Sequence, residues 1–109
     1  MKEIKAFIHP HRIHAVTQAL RESGLCDINA GVGCYNITVS TVQRLYTSAE
    51  PSEQCYSVEL AEPVVAESKL ELVCDDGVAV QLVQLITIAA QPGRGCICVS
   101  EIGSAASFG

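Results

Sequence analysis

The segment Val78-Ala79-Val80-Gln81-Leu82-Val83-Gln84-Leu85-Ile86-Thr87-Ile88-Ala89-Ala90 constrains this chain more than any other, because it is apolar nearly all round. Asp75 and Asp76 precede it and offer an N-cap and a favourable first-turn charge, while Pro92-Gly93 stand just past its end. The spacing predicts a helix from about Gly77 to Ala90. A helix without a polar face has to be buried on more than one side. With 49% hydrophobic residues, 5% aromatic and no Trp, the covering core must come from Val, Ile, Leu and Ala, which suits a sheet layered with helices. At 109 residues the chain is near the usual size of one domain, so residues 1–109 are expected to form a single core.

The rest of the chain supplies that sheet. Lys2 to Ile8 alternates Ile4, Ala6 and Ile8 against Glu3, Lys5 and Phe7, a strand that Pro10 stops. From His11 to Ser23 the apolar positions Ile13, Val16, Ala19 and Leu20 recur at helical spacing, and Gly24 stands where a left-handed cap is wanted. A Gly- and Asn-rich turn from Asp27 to Asn36 leads into a strand from Ile37 to Leu45. Tyr46 to Gln54 is polar and aperiodic, which marks a functional loop. Strand segments follow at Cys55–Leu60 and Lys69–Cys74, separated by an acidic stretch with Glu62, Pro63 and Glu67. After the second helix the turn Gln91-Pro92-Gly93-Arg94-Gly95 leads to a last strand, Cys96 to Ile102, and a small, polar, mobile tail. The order strand, helix, strand, strand, helix, strand is the α+β, ferredoxin-like split βαβ arrangement. It predicts a four-stranded antiparallel sheet with both helices on one face, and an uncovered second face that calls for an oligomer.

Charge and hydropathy exclude several functions. A formal net charge of −5 without a Lys/Arg cluster argues against nucleic acid as a partner. No run reaches the roughly 18 consecutive apolar residues of a membrane span, and Met1-Lys2-Glu3-Ile4-Lys5 leads straight into a strand without a signal-peptide core. A cytoplasmic protein with no direct membrane insertion is expected. Its six cysteines, Cys26, Cys34, Cys55, Cys74, Cys96 and Cys98, are then expected as reduced thiols, with no C-x-x-C pair to hold zinc. Cys96-x-Cys98 on a strand puts both thiols on one face. Catalysis lacks the usual constellations: there is no nucleophile elbow, no H-E-x-x-H, no complete phosphate loop and no general base beside a thiol. The chain is expected not to be an enzyme.

Several short segments, taken in order, resemble one family across essentially the whole domain. The opening Met1-Lys2-Glu3-Ile4-Lys5-Ala6-Phe7-Ile8-His9-Pro10 looks like the first strand and proline stop of PII signalling proteins. Ile37-Thr38-Val39 resembles that family's second strand, Lys69-Leu70-Glu71-Leu72-Val73 its third, and Ala90-Gln91-Pro92-Gly93 its A-Q-T-G turn. The opening His9-Pro10-His11-Arg12-Ile13 is closer to a PII-like branch associated with heavy-metal efflux than to the nitrogen regulatory proteins proper. The resemblance implies a homotrimer whose sheets pack around the threefold axis, with an adenine nucleotide or other small anion in clefts between subunits. It also implies a target-reaching loop from Tyr46 to about Ala66 and an effector-facing turn from Gln91 to Gly95, with a membrane transporter or an enzyme as target. Where PII proteins carry a T-loop Lys and C-terminal arginines, this chain has Glu67 and Gly103-Ser104-Ala105-Ala106-Ser107, so Arg94 is the one cation expected at the effector.

Residues with candidate roles follow from both readings. Gly93-Arg94-Gly95 can cradle an anion, since the glycines let backbone N–H groups approach while Arg94 supplies a fork of donors. Thr38 joins them as a ligand-binding residue through the resemblance. Tyr46, Glu50, Glu53 and Tyr56 are the expected partner contacts of the loop, because aromatic side chains anchor interfaces and an acidic run surrounds them. His9, His11 and His14 are close enough in sequence to bind Zn, Cu or Ni, although solvated imidazoles at an element junction explain them too. They carry the alternative, a trimeric metal-tolerance protein resembling the CutA family that binds Cu or Zn through His and Cys.

Overall fold

A computed structural model describes residues 1–27, 29–30, 32–45, 53–106 and 108–109. The chain is α+β: β1 (Lys2–Ile8), a 3-10 turn (Pro10–Arg12), α1 (Ile13–Glu22), β2 (Cys34–Leu45), β3 (Gln54–Ser57), β4 (Glu62–Cys74), α2 (Asp76–Ala90) and β5 (Gly95–Glu101). All pairings are antiparallel, in the order β2-β4-β1-β5, with β3 added on β4. Leaving β3 aside, this is the split βαβ order expected from the sequence. The sheet nevertheless has five strands rather than four.

The strand period sorts the two sheet faces. Ile4, Ala6 and Ile8 of β1 and Leu70, Leu72 and Cys74 of β4 are buried against Val16 and Leu20 of α1 and Ala79, Leu82 and Ile86 of α2. Deleting a fully buried side chain such as Leu82 would cost about 2–5 kcal/mol. The opposite face is open and mixed rather than apolar. Lys5, Phe7, Lys69, Glu71 and Cys98 share it by register, with Glu3 paired to Lys5 at 3.5 Å and Lys69 to Glu71 at 3.2 Å. Exposed apolar side chains occur elsewhere, among them Val80 and Ile88 of α2, which are 70% and 73% exposed.

Helix boundaries follow the sequence closely, with two local differences. The first helix begins as a 3-10 turn because Pro10 supplies a fixed φ and no N–H, and it ends before Gly24 at φ 75°. Asp75 occupies the N-cap position of α2, yet its side chain does not cap. It accepts a hydrogen bond from Tyr35 Oη at 3.4 Å, while Asp76 in the first turn meets the N-terminal ammonium at 2.6 Å.

Two expectations are corrected. The first assigned Tyr46 to about Ala66 to a target-reaching loop with a strand segment at Cys55–Leu60; that strand is present as Gln54–Ser57, but Glu62–Cys74 pairs with it as a hairpin, turning through residues 58–61, with Ala61 at φ 56°. The acidic residues Glu62 and Glu67 are therefore strand positions, and Tyr46 and Glu50 lie outside the described residues. The second was six reduced thiols. Cys26 and Cys34 form a disulfide, because a bridge between Asp27 and Val32 folds the segment back on itself and sets their Cα atoms 5.1 Å apart. Gly33 makes this possible: at φ 83°, it lies so close to the Leu25 carbonyl that a Cβ would collide with it. Cys55, Cys74, Cys96 and Cys98 are free.

Candidate functional site

The site originates in a hand-over between strands. On one side of β4, β1 ends with Ile8 opposite Ser68, and β3 begins with Gln54 opposite Val65. Ala66 and Glu67 have no ladder partner on that side, so the sheet carries a notch there. The α2–β5 turn arches over it. Together they enclose a cleft of about 880 Å³ whose lining includes Phe7, Arg44, Glu53, Glu67, Arg94 and Cys96.

Each wall has a local cause. Ala90 to Gly93 close a turn in which Gly93 N–H donates to the Ala90 carbonyl at 3.2 Å, across a cis Gln91–Pro92 peptide. Gly95 then starts β5 directly opposite Ile8, where any Cβ would strike the Phe7 carbonyl oxygen. Only glycine lets β5 close so tightly on β1, and that closeness holds Arg94 at the cleft mouth. Beneath the turn, Arg12 donates to the Ala89 carbonyl at 2.8 Å, placing a cation at the α2 C-terminus.

The notch is bridged by His9. Its Nδ1 accepts from the His11 backbone N–H at 3.1 Å, which leaves the ring proton on Nε2, and Nε2 donates to Glu53 Oε1 at 3.2 Å. On the floor, the side chain of Glu67 is 5% exposed, and Arg44 Nε stands 2.7 Å from its Oε1. The approach is off the line of a good hydrogen bond, so this buried oxygen is charge-paired but retains an unfilled acceptor direction. The cleft therefore combines the exposed Arg94, an ion pair between the buried Glu67 and the half-exposed Arg44, and an imidazole–carboxylate link from His9 to Glu53. It can bind an anion near Arg94 and accept an N–H or O–H from the same ligand at Glu67.

Of the residues singled out in the sequence, Gly93, Arg94 and Gly95 line this cleft together with Glu53. Thr38 pairs with Glu71 farther along the open face and does not line it. Tyr56, on β3 opposite Pro63, is 66% exposed. His9 and His11 stack edge to face with ring centroids 4.8 Å apart, whereas His14 lies exposed on α1; among the described residues no three His, Cys, Asp or Glu side chains converge as a metal site. Sequence reasoning missed Arg44 and the link from His9 to Glu53, because both depend on strand register. Compared with known proteins, the chain matches no protein-family model and no curated sequence.

Proposed function

We propose that this chain is a non-enzymatic, PII-like signalling protein that binds a small anionic metabolite or nucleotide and reports its presence to a transporter or enzyme. One observation carries the reading: the cleft that holds Arg94 is also lined by Leu45 and Glu53, the residues that flank segment 46–52. An anion drawn to Arg94 acts on the same cavity as the His9–Glu53 link, so its binding biases where that segment is anchored. The segment is then the element that a target reads. In this reading three copies pack their open sheet faces about a threefold axis in the cytoplasm, bringing the clefts to the seams between subunits. The described residues contain no helix long and apolar enough to cross a membrane, in keeping with a regulator that meets its target from outside the bilayer.

The test is titration of the wild type and Arg94→Ala with inorganic phosphate and with adenine nucleotides, paired with thermal melting. Loss of a charge-assisted contact should weaken anion binding roughly ten- to a hundredfold. The melting temperature should stay unchanged, since an exposed turn arginine contributes little to folding. No anion binding below millimolar in the wild type overturns the reading, and binding that survives the substitution moves the anion away from Gly93-Arg94-Gly95.

A further inference from the structure

We propose that Cys96 and Cys98 form a two-thiolate site for one soft monovalent cation, Cu(I). Both residues lie on β5, at the edge of the sheet, and both are exposed and unbridged. Their sulfurs stand 3.9 Å apart on the open face. Two features argue that this spacing suits a metal and not a disulfide. Residues i and i+2 of an extended strand are separated by about 6.6 Å between Cα atoms, at the upper limit for a disulfide, so closing one would force the strand to buckle. A metal with thiolate bonds of about 2.3 Å spans sulfurs from about 3.8 Å apart in a tetrahedral arrangement to about 4.6 Å in a linear one. The observed pair falls within that range, and small rotations about χ1 open it to the linear limit.

The choice of ion follows from the surroundings. Among the described residues no third His, Cys, Asp or Glu joins the pair to make a metal-binding group, so a zinc ion would lack its protein ligands. A d10 monovalent ion is content with two soft sulfurs. Across the ladder, Phe7 stands opposite Cys96 and Lys5 opposite Cys98 on the same face. Phe7 stands beside one flank of the pair, and Lys5, itself 3.5 Å from Glu3, stands beside the other. In the metal-free pair the two sulfurs share one weak hydrogen bond, the contact that a bound ion would replace. The step balances as two thiols plus one Cu(I) giving one bis-thiolate complex and two released protons; copper stays in the +1 state throughout. Because Cys96 also lines the cleft, the bound ion would sit at its rim.

The experiment supplies Cu(I) under anaerobic conditions against a chromophoric Cu(I) chelator and reads stoichiometry, affinity and copper–sulfur coordination by X-ray absorption. Wild type should retain one Cu(I) per chain with two sulfur neighbours, and Cys96→Ser or Cys98→Ser should each weaken binding by about a hundredfold or more. Cys55→Ser, and a Cys26→Ser/Cys34→Ser double variant that removes the thiols freed if the disulfide is reduced, should retain wild-type affinity. The exposed serines are near-isosteric, and circular dichroism verifies the fold of each variant. Undiminished Cu(I) binding in the Cys96→Ser/Cys98→Ser double variant overturns the proposal. So does Zn(II) competing equally for the pair, or absorption data showing three or more protein ligands. Phosphate titration of Arg94→Ala is independent of these readouts, so failure of the copper site leaves the anion-cleft reading to stand or fall separately.

Discussion

Glu67 is the residue whose position most needs explaining, because a carboxylate buried to this degree is costly unless its charge is answered. Arg44 answers it from the neighbouring strand, in a pairing that joins two residues 23 apart in sequence and exists only because Val42 is registered opposite Glu67. No periodicity in the sequence points to such a pair, whereas Gly93-Arg94-Gly95 was legible because glycine and proline punctuate the chain. Glu67→Gln keeps the shape, removes the competing negative charge and leaves Arg44 to face an incoming anion. Phosphate affinity should therefore rise by roughly three- to tenfold, the effect of one charge acting through partly solvated surroundings. A fall in affinity on titration would mean that the carboxylate serves to hold Arg44 in place. Cys74 supports a second prediction. Burial raises its thiol pKa above the ordinary 9.0, with Asp75 adding to the effect. The unfolded chain ionises this thiol first, so its contribution to stability is complete below that pH and is lost as pH rises beyond it. Urea midpoints between about pH 8 and about pH 10 should fall more for wild type than for Cys74→Val, once shared titrations cancel.

Among the elements, β1 and α1 were readable because each carries one clean period and an identifiable stop, and α2 and β5 because Asp75-Asp76 and the turn from Gln91 to Gly95 bound them. The first half of β4 was not. Glu62, Pro63 and Glu67 look like loop residues, and their strand conformation is imposed by pairing, of Glu62 and Pro63 with β3 and of Glu67 with β2. The disulfide was hidden for a related reason: two cysteines eight residues apart become neighbours only through the Asp27–Val32 bridge and the left-handed Gly33. Closing so short a loop should contribute about 2–3 kcal/mol by restricting the unfolded chain. Cys26→Ser/Cys34→Ser should lower the urea-derived stability by that amount, and a variant as stable as wild type would show that the hairpin holds without its bridge. Gly95→Ala should be at least as damaging, at about 1–3 kcal/mol, since the added Cβ meets backbone that cannot move without breaking the β1–β5 ladder. Thermal melting reads this directly, and an unchanged melting temperature would show that β5 can pair with β1 at a greater distance.

For the whole molecule, the surfaces left uncovered decide how copies would meet in the proposed trimer. The open sheet face carries Lys5, Arg44 and Lys69 against Glu3, Glu67 and Glu71, so three cations balance three anions. Ion pairs within the chain join these residues two by two. A neutral face whose charges are already partnered can be buried without stranding any of them, unlike one bearing a net charge. The outer side of α2 competes for the same role, with Val80 and Ile88 exposed there. The trimer proposed for this chain uses the sheet face, and sedimentation equilibrium should then give three times 11.6 kDa. Val42 lies on that face opposite Glu67, so Val42→Glu adds an unpaired charge at the contact. It should dissociate the trimer to monomers at micromolar concentration, while Val80→Lys leaves the mass unchanged. If Val80→Lys alone dissociates the assembly, α2 is the interface and the clefts are not at the seams. A wild type sedimenting as a monomer would remove the subunit-interface reading altogether and leave the cleft of a single chain to account for any anion that binds.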